Sequence, residues 1–320
     1  MSILKCRVCG GNLILRPGSR IAQCEYCGTQ QTVPLDAFDV PEAPAPAGLQ
    51  LLPEYLDGVR LDRTLRVGGD DMRITLPLAS GEILRYYFCL PPEDGTALLA
   101  VAASAELNSL LEQTEQTLAL LSAEAQRFER DNAAHGGKPL SYDRLFPRLR
   151  SAEISAAQGS RRVHVLTLPE GTTLPLAQIQ ANHDRVDLKT GAWIMGRMLK
   201  LLSYAHEAGL TVPVESAGIL IDPDRHGLVF YDWSRAGRWP EGVPAERRAA
   251  AISEAAALCL SLTDEPDRCS PGERDYLALL REMQRLQYDD ALAAHRAFYD
   301  LIRQIWGIAF HPFTMHHKEA

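Results

Sequence analysis

Apolar residues alternate with polar ones through much of the first half of the chain and recur at helical spacing through the second. Residues 60–67 read as a strand ending in the turn Gly68-Gly69-Asp70-Asp71. Met72, Ile74, Leu76 and Leu78 then mark one face of a half-buried strand. Ala79-Ser80-Gly81 turns the chain into an aromatic-rich strand over 82–90, which Pro91-Pro92-Glu93-Asp94-Gly95 breaks. After a short apolar segment, Leu107, Leu110, Leu111, Leu118 and Leu121 predict a long helix over 105–130. A loop over 133–139 and a strand over 162–168 follow. The clearest helix is 187–209: Asp187 or Thr190 can cap it, Trp193, Ile194, Met198, Leu201, Leu202 and Ala205 form its apolar stripe, and Gly209 stops it. Two short strands, 219–221 and 228–231, flank the turn Asp222-Pro223-Asp224-Arg225-His226-Gly227, and helices are predicted over 245–262, 273–286 and 289–306. Strands first and helices afterwards predict an α+β body with a strand-rich lobe over 49–168 and a helical lobe over 169–320.

Residues 1–36 carry a separate signal. Cys6-x2-Cys9 and Cys24-x2-Cys27 each point two thiolates at one ion, and two such turns close a tetrahedral Zn²⁺ site. Short strands over 12–16 and 20–23, joined at Pro17-Gly18-Ser19, complete the outline of a zinc ribbon. Gly10 and Gly28 follow the second cysteine of each pair, where a Cβ is expected to crowd the turn around sulfur. So short a segment cannot bury enough apolar surface to hold itself together, so a structural Zn²⁺ is expected to supply the missing stability. Two disulfides or a redox pair would be the alternative use of the same spacing. The linker 37–48, with Pro41, Pro44 and Pro46, is stiff and without periodicity. Cys89 and Cys259 sit among apolar neighbours and read as buried small hydrophobes.

Composition narrows the function classes. At 46% hydrophobic and 23% charged residues the chain is ordinary globular protein, which excludes wholesale disorder. The net charge of −8 opposes a body that grips nucleic acid or an anionic membrane. Residues 1–34 carry a formal +3, which a Zn²⁺ with four thiolates, itself roughly −2, nearly cancels. Nucleic-acid binding is therefore not favoured for the ribbon either, since phosphate contacts want clustered Lys and Arg. No apolar run approaches the roughly 18 residues that span a bilayer, and the first residues lack a secretory signal. A cytoplasmic location without membrane attachment is the expectation.

The order of elements and certain residues resemble the protein kinase family, best over 162–234 and only in topology over 49–161. Val163-His164-Val165-Leu166-Thr167-Leu168-Pro169-Glu170-Gly171 resembles the fifth strand and hinge, and residues 174–179 the start of the helical lobe. The 193–209 helix, with His206 near its end, is similar to the one that precedes a kinase catalytic loop. Ile219-Leu220-Ile221-Asp222-Pro223 and Tyr231-Asp232-Trp233-Ser234 resemble the strand after that loop and the Asp-Phe-Gly region. The resemblance implies a Lys at the phosphates, a loop Asp near the acceptor hydroxyl, and an Asn and Asp holding Mg²⁺. The His-Arg-Asp positions fall on Thr211, Val212 and Pro213, and the Asn position on Gly218. No lysine occurs between Lys5 and Lys138, and the glycine-rich loop is reduced to Gly68-Gly69. Only Asp232 keeps its type, as a residual nucleotide or Mg²⁺ site.

Losing such groups together leaves little basis for turnover. The expectation is a catalytically inactive pseudokinase, with no catalytic residues, not expected to use ATP and Mg²⁺. It would work as a regulatory or scaffold protein that binds protein partners; the resemblance implies a phosphatase or an adaptor. Two alternatives stay open: an atypical nucleotide-binding kinase with residual phosphotransfer, and a zinc-ribbon nucleic-acid-binding protein. The remaining candidate residues have ordinary structural roles in this reading. Asp222 and Asp224 shape a turn and His206 is a hydrogen-bonded structural histidine. Glu112, Glu124 and Glu129 form a solvated face, Trp233, Trp239 and Trp306 are core or lobe contacts, and His311, His316 and His317 belong to a frayed C-terminus.

Overall fold

A computed structural model of the protein describes residues 5–15, 21–33, 64–80, 83–91, 96–156, 159–172, 174–266, 268–307 and 309–317. The linker 37–48, the turn Pro17-Gly18-Ser19, residues 60–63, Gly81 and residues 92–95 lie outside the described residues. Two compact units emerge: Met1–Leu111 with Leu149–Thr167, and Glu112–Arg148 with Leu168–Ala320. Residues 112–148 thus cluster with the helical part, although they fall inside the span 49–168 assigned from sequence order to the strand-rich lobe.

The first unit holds two sheets. The small one is antiparallel, with β1 (Leu13–Leu15), β2 (Ile21–Cys24) and β3 (Gln30–Thr32) in that order. The third strand, Gln-Gln-Thr, carries no apolar alternation and was not foreseen. It pairs because β2 leaves its second edge to be filled, and Cys24 N–H reaches Thr29 O at 2.9 Å. Ile21, Ala22, Cys24 and Val33 are buried here.

The large sheet has six strands in the order β4 (Thr64–Val67), β5 (Asp70–Ser80), β6 (Leu84–Leu90), β7 (Ala97–Ala102), β9 (Arg161–Thr167) and β8 (Arg148–Ser155). The apolar segment after the break is thus a full strand, ALLAVA, buried along its length. Strand β8 was not foreseen, because Arg148, Arg150 and Glu153 interrupt any apolar alternation. Two register shifts in β5, one beside Pro77, bend it. The sheet curls far enough that the β4–β5 turn meets β8: Gly68 N–H donates to Glu153 Oε2 at 2.9 Å, and Arg150 pairs with Asp70 at 2.6 Å. One face of the sheet is filled by Leu65, Val67, Met72, Tyr87, Cys89, Leu99, Val101, Val163 and Val165. Alternation along β6 sends Tyr86 and Phe88 to the other face, which is buried as well.

The second unit is helical: α1 (Asn108–Ala134), most of which belongs to it, α2 (Leu176–Ala181), α3 (Leu188–Glu207), α4 (Ala245–Leu262), α5 (Pro271–Gln284) and α6 (Ala291–Trp306). Its core is α3, which packs on α4 and α6. Asp187 is the cap, its Oδ1 accepting Thr190 N–H at 2.7 Å, while the Thr190 hydroxyl accepts Thr314 N–H. Periodicity starts α5 two residues late: Ser270 and Glu273 form a capping box around Pro271, so the helix begins before its first apolar residue. Phe128, Tyr142 and Phe146 gather around Tyr204, whose hydroxyl donates to Leu121 O.

Three small sheets of two or three strands accompany the described helices. Strand β10 (Leu174–Pro175) lies beside the hairpin β13 (Ile219–Asp222) and β14 (Gly227–Phe230), and β12 (Leu210–Thr211) pairs with β15 (Gly237–Arg238). The C-terminal segment is not frayed: β16 (Met315–His317) pairs with β11 (Asp184–Val186). His226 is stacked between Trp193 and Phe310 and binds His311 O through Nε2. The contacts of the C-terminal segment join residues more than 80 positions apart, which no local pattern reveals.

Candidate functional site

The four cysteines predicted from their spacing converge. Cys6 and Cys9 lie in one turn and Cys24 and Cys27 in the other, and all four Sγ atoms fall within 4.8 Å of one another. Cys9 Sγ is 3.4 Å from both Cys24 Sγ and Cys27 Sγ, and Cys6 Sγ is 3.7 Å from Cys27 Sγ. Sulfurs bonded tetrahedrally to one ion at about 2.3 Å would be about 3.8 Å apart, whereas a disulfide needs about 2.05 Å. The cysteines are free, so the structure pairs none of them covalently. This donor set could hold a metal ion such as zinc, and among the described residues it is the single such cluster.

Each turn is built alike. Gly10 N–H binds Cys6 O and Gly28 N–H binds Cys24 O, and both glycines are left-handed, at φ +72° and +70°. A Cβ at either would meet nothing within 4 Å. The glycines are needed for backbone conformation and not, as expected, for room. The crowded position is Gly11, which the sequence did not single out: a Cβ there would lie 2.7 Å from the Tyr26 ring and 3.1 Å from Cys24 Sγ. The two exposed thiols differ in acidity. The Thr29 hydroxyl and N–H draw the Cys27 thiol down to about 6. At Cys9 the Gly11 N–H pulls downward too, but the sulfurs of Cys24 and Cys27 outweigh it and the thiol rises to about 12.

The second candidate region lies in the helical unit, after β12. Residues 212–218 run as a loop that ends in the short 3-10 turn Ser216–Gly218. Glu254 accepts Val214 N–H at 3.3 Å, the Ser216 hydroxyl donates to Gln180 Oε1 at 2.5 Å, and Tyr231 N–H donates to Gly218 O at 2.9 Å. A Cβ on Gly218 would touch Asp232 Cβ at 3.5 Å, so these two positions are neighbours in space. Asp232 Oδ1 accepts both the N–H and the hydroxyl of Ser234, at 3.0 and 2.6 Å. Trp233 is buried and donates to Phe230 O. Gly68 and Gly69, both left-handed, make the tight β4–β5 turn, and a Cβ on Gly68 would lie 2.8 Å from Ser151 Cβ.

Several of the remaining candidates have structural roles. Asp222 is buried and its Oδ1 accepts the N–H groups of Asp224 and Arg225, so it shapes its turn; burial raises its pKa while those N–H groups oppose the rise. Burial pushes the thiols of Cys89 and Cys259 up, to about 12 and about 11, which leaves them unreactive. Glu129 accepts Leu140 N–H and Glu124 pairs with Arg127. His206 is structural but not hydrogen-bonded: both ring nitrogens are buried without a partner. Burial, helped by Arg248 and opposed by Asp290, takes it down to about 4. The contact between His311 Nε2 and Asp187 Oδ2, at 2.7 Å, was missed, since it joins residues 124 positions apart.

No protein-family model matches the sequence, and no curated protein matches it. Solved structures do. That of vaccinia related kinase 3 aligns with a TM-score of 0.53 at 13% identity, covering 76% of this chain and 90% of that one. The fold is kinase-like. A strand-rich N-terminal part and a helical C-terminal part agree with the α+β architecture expected from the sequence, and the N-terminal cysteine cluster accompanies them. No helix among the described residues is long and apolar enough to cross a membrane.

Proposed function

We propose that this chain is a pseudokinase: a kinase-like body that has lost phosphoryl transfer and works in the cytoplasm by binding a protein partner, with a Zn²⁺-bearing ribbon as a second contact. The observation that carries the reading is the pairing of Gly218 with Asp232. In the kinase arrangement an Asn and an Asp at these positions share the metal on the phosphates. Gly218 has no side chain to offer, and Asp232 Oδ1 is occupied by Ser234. Pro213, at the position of the loop Asp, cannot accept a proton, and neither β6 nor β7 carries a lysine. Groups that act as a unit are lost together, and the rate falls by orders of magnitude when even one is missing.

A ribbon and a body joined in one chain raise each other's effective concentration at a shared partner, so two weak contacts suffice. The kinase resemblance suggests a phosphatase or an adaptor as that partner. For the ribbon, the sulfur spacing fits tetrahedral Zn²⁺, and thiolate donors favour zinc over magnesium or calcium.

Thermal unfolding with ATP, with and without Mg²⁺, tests the reading. No Mg²⁺-dependent stabilisation is expected. A Mg²⁺-dependent rise that Asp232→Ala abolishes, or transfer of labelled phosphate to a protein substrate, would overturn it in favour of an atypical kinase.

A further inference from the structure

The four sulfurs of the ribbon are not equivalent. Cys6 and Cys24 are 3% and 2% exposed, whereas Cys9 and Cys27 stand at the surface. The chain explains the asymmetry. Cys6 N–H is bonded to Gly11 O, and Cys24 ends β2 with its N–H bonded to Thr29 O, so the first cysteine of each pair is held under backbone. The second cysteine of each pair sits where the turn reverses, just before a left-handed glycine. The two exposed sulfurs are therefore corresponding members of the two turns, and they are 3.4 Å apart. Cys9 is equally near Cys24, and Cys27 lies 3.7 Å from Cys6, but in both of those pairs one sulfur is buried. Only Cys9 with Cys27 combines proximity and access.

We infer that Cys9 and Cys27 form an oxidation site on the ribbon, at which a peroxide joins the two sulfurs and expels the ion. The inference rests on the reading of the four cysteines as Zn²⁺ ligands. One exposed thiolate attacks a peroxide oxygen, the O–O bond breaks, and a sulfenic acid and hydroxide result. The second thiolate attacks that sulfur, the S–S bond forms, and a second hydroxide leaves. The two sulfurs supply both electrons, and the two hydroxides take two protons from solvent to give water. Zn²⁺ has no redox chemistry of its own and is left with Cys6 and Cys24, half of its ligand set. To reach a bond length of about 2.05 Å the sulfurs close by about 1.4 Å, a movement that two exposed side chains at turn tips can make. A ribbon whose fold depends on the ion then loosens, and any contact it makes with a partner becomes sensitive to oxidant.

The test uses the full chain, loaded with Zn²⁺ and carrying Cys269→Ser to remove the half-exposed thiol outside the ribbon. Hydrogen peroxide is titrated in the presence of a chromogenic chelator, and the disulfides are then mapped by mass spectrometry. Cleavage after Arg7 separates Cys6 from Cys9, and cleavage after Glu25 separates Cys24 from Cys27, so every pairing can be told apart. One Zn²⁺ released for each Cys9–Cys27 bond, with rebinding after reduction, is the expected result. Retention of the ion under peroxide, or release accompanied by any other pairing, overturns the inference while leaving the metal site standing. Protein that binds no Zn²⁺ before peroxide is added sinks the metal site itself, and the inference with it.

Discussion

Among the described residues of the ribbon, whose strands are three or four residues long, the buried hydrophobics are Cys6, Ile21, Ala22, Cys24 and Val33, while α3 alone buries thirteen of its twenty residues. One region gathers its side chains around a point and the other spreads contact along a helix. A centred structure fails as a whole when the centre is removed, because no residue has enough apolar contact to hold its neighbours. A distributed core loses stability in increments, one side chain at a time. The same contrast separates what each region is suited to do. On the reading proposed above, the ribbon would respond to a single chemical event and the helical unit would present a fixed surface.

Metal removal gives the largest expected effect. Structural Zn²⁺ contributes roughly 10–16 kcal/mol of apparent binding free energy in isolated fingers, more than a ribbon of this size can replace. Treating the protein with a strong chelator should abolish amide protection at Gly10, Cys24 and Gly28, whose N–H groups close the two turns. The main thermal transition, which reports the helical unit, should stay where it is. A downward shift of that transition would break the comparison by tying the two regions into one cooperative body. Survival of the ribbon's protected amides would remove the metal from its centre.

How far the sequence could be followed differs between the two regions for the same reason. Cys6, Cys9, Cys24 and Cys27 announced their convergence because a metal site is written as spacing, and α3 announced itself because thirteen buried positions leave a periodic stripe. Strands β3 and β8 left no such mark, being polar segments that pair only because a neighbour offers a free edge. The role of Gly11 was hidden because its constraint comes from Tyr26 across the turn and not from its own backbone angle. The C-terminal segment was misjudged because Asp187, Thr190 and His226 hold it from far along the chain. At the loop before β13 the residues were legible as types, but that Gly218 abuts Asp232 needed the fold.

His206 sharpens the contrast on the side of the distributed core, since it is a polar group buried on α3 without a hydrogen bond. Its pKa falls from 6.5 to about 4 on folding, chiefly through burial, with Arg248 adding and Asp290 subtracting. The folded pKa is depressed, so the stability it permits is complete above pH 6.5 and is lost as the pH falls towards 4, where the unfolded chain takes up a proton that the folded one refuses. Over that window the loss is about 3 kcal/mol. His206→Leu forfeits no hydrogen bond and removes this titration. Urea unfolding from pH 7 to pH 4.5 should therefore show wild type losing stability relative to the variant. A constant difference between the two would mean that water reaches the ring and that the core is less dry there than its burial indicates.

The smallest effect concerns Asp187, where the distributed unit has a centre of its own. Its Oδ1 caps α3 through Thr190 N–H, its Oδ2 receives His311 Nε2, and its backbone N–H binds Thr314 O. Both Asp187 and His311 are about a quarter exposed, at 27%, so their pairing is partly screened and the cap is the firmer of the two side-chain contacts. Asp187→Ala should cost about 1 kcal/mol in urea unfolding, in line with the loss of a helix cap. Asp187→Asn keeps an oxygen for Thr190 and should recover most of that stability. Amide exchange at Met315–His317 separates the two roles of the carboxylate. If Asp187 also anchors the C-terminal segment, the alanine variant speeds exchange there by several-fold, and the asparagine variant does so less. Unchanged exchange in both would leave the pairing of β16 with Asp184–Val186 as what fastens the segment, making its attachment as distributed as the core it covers.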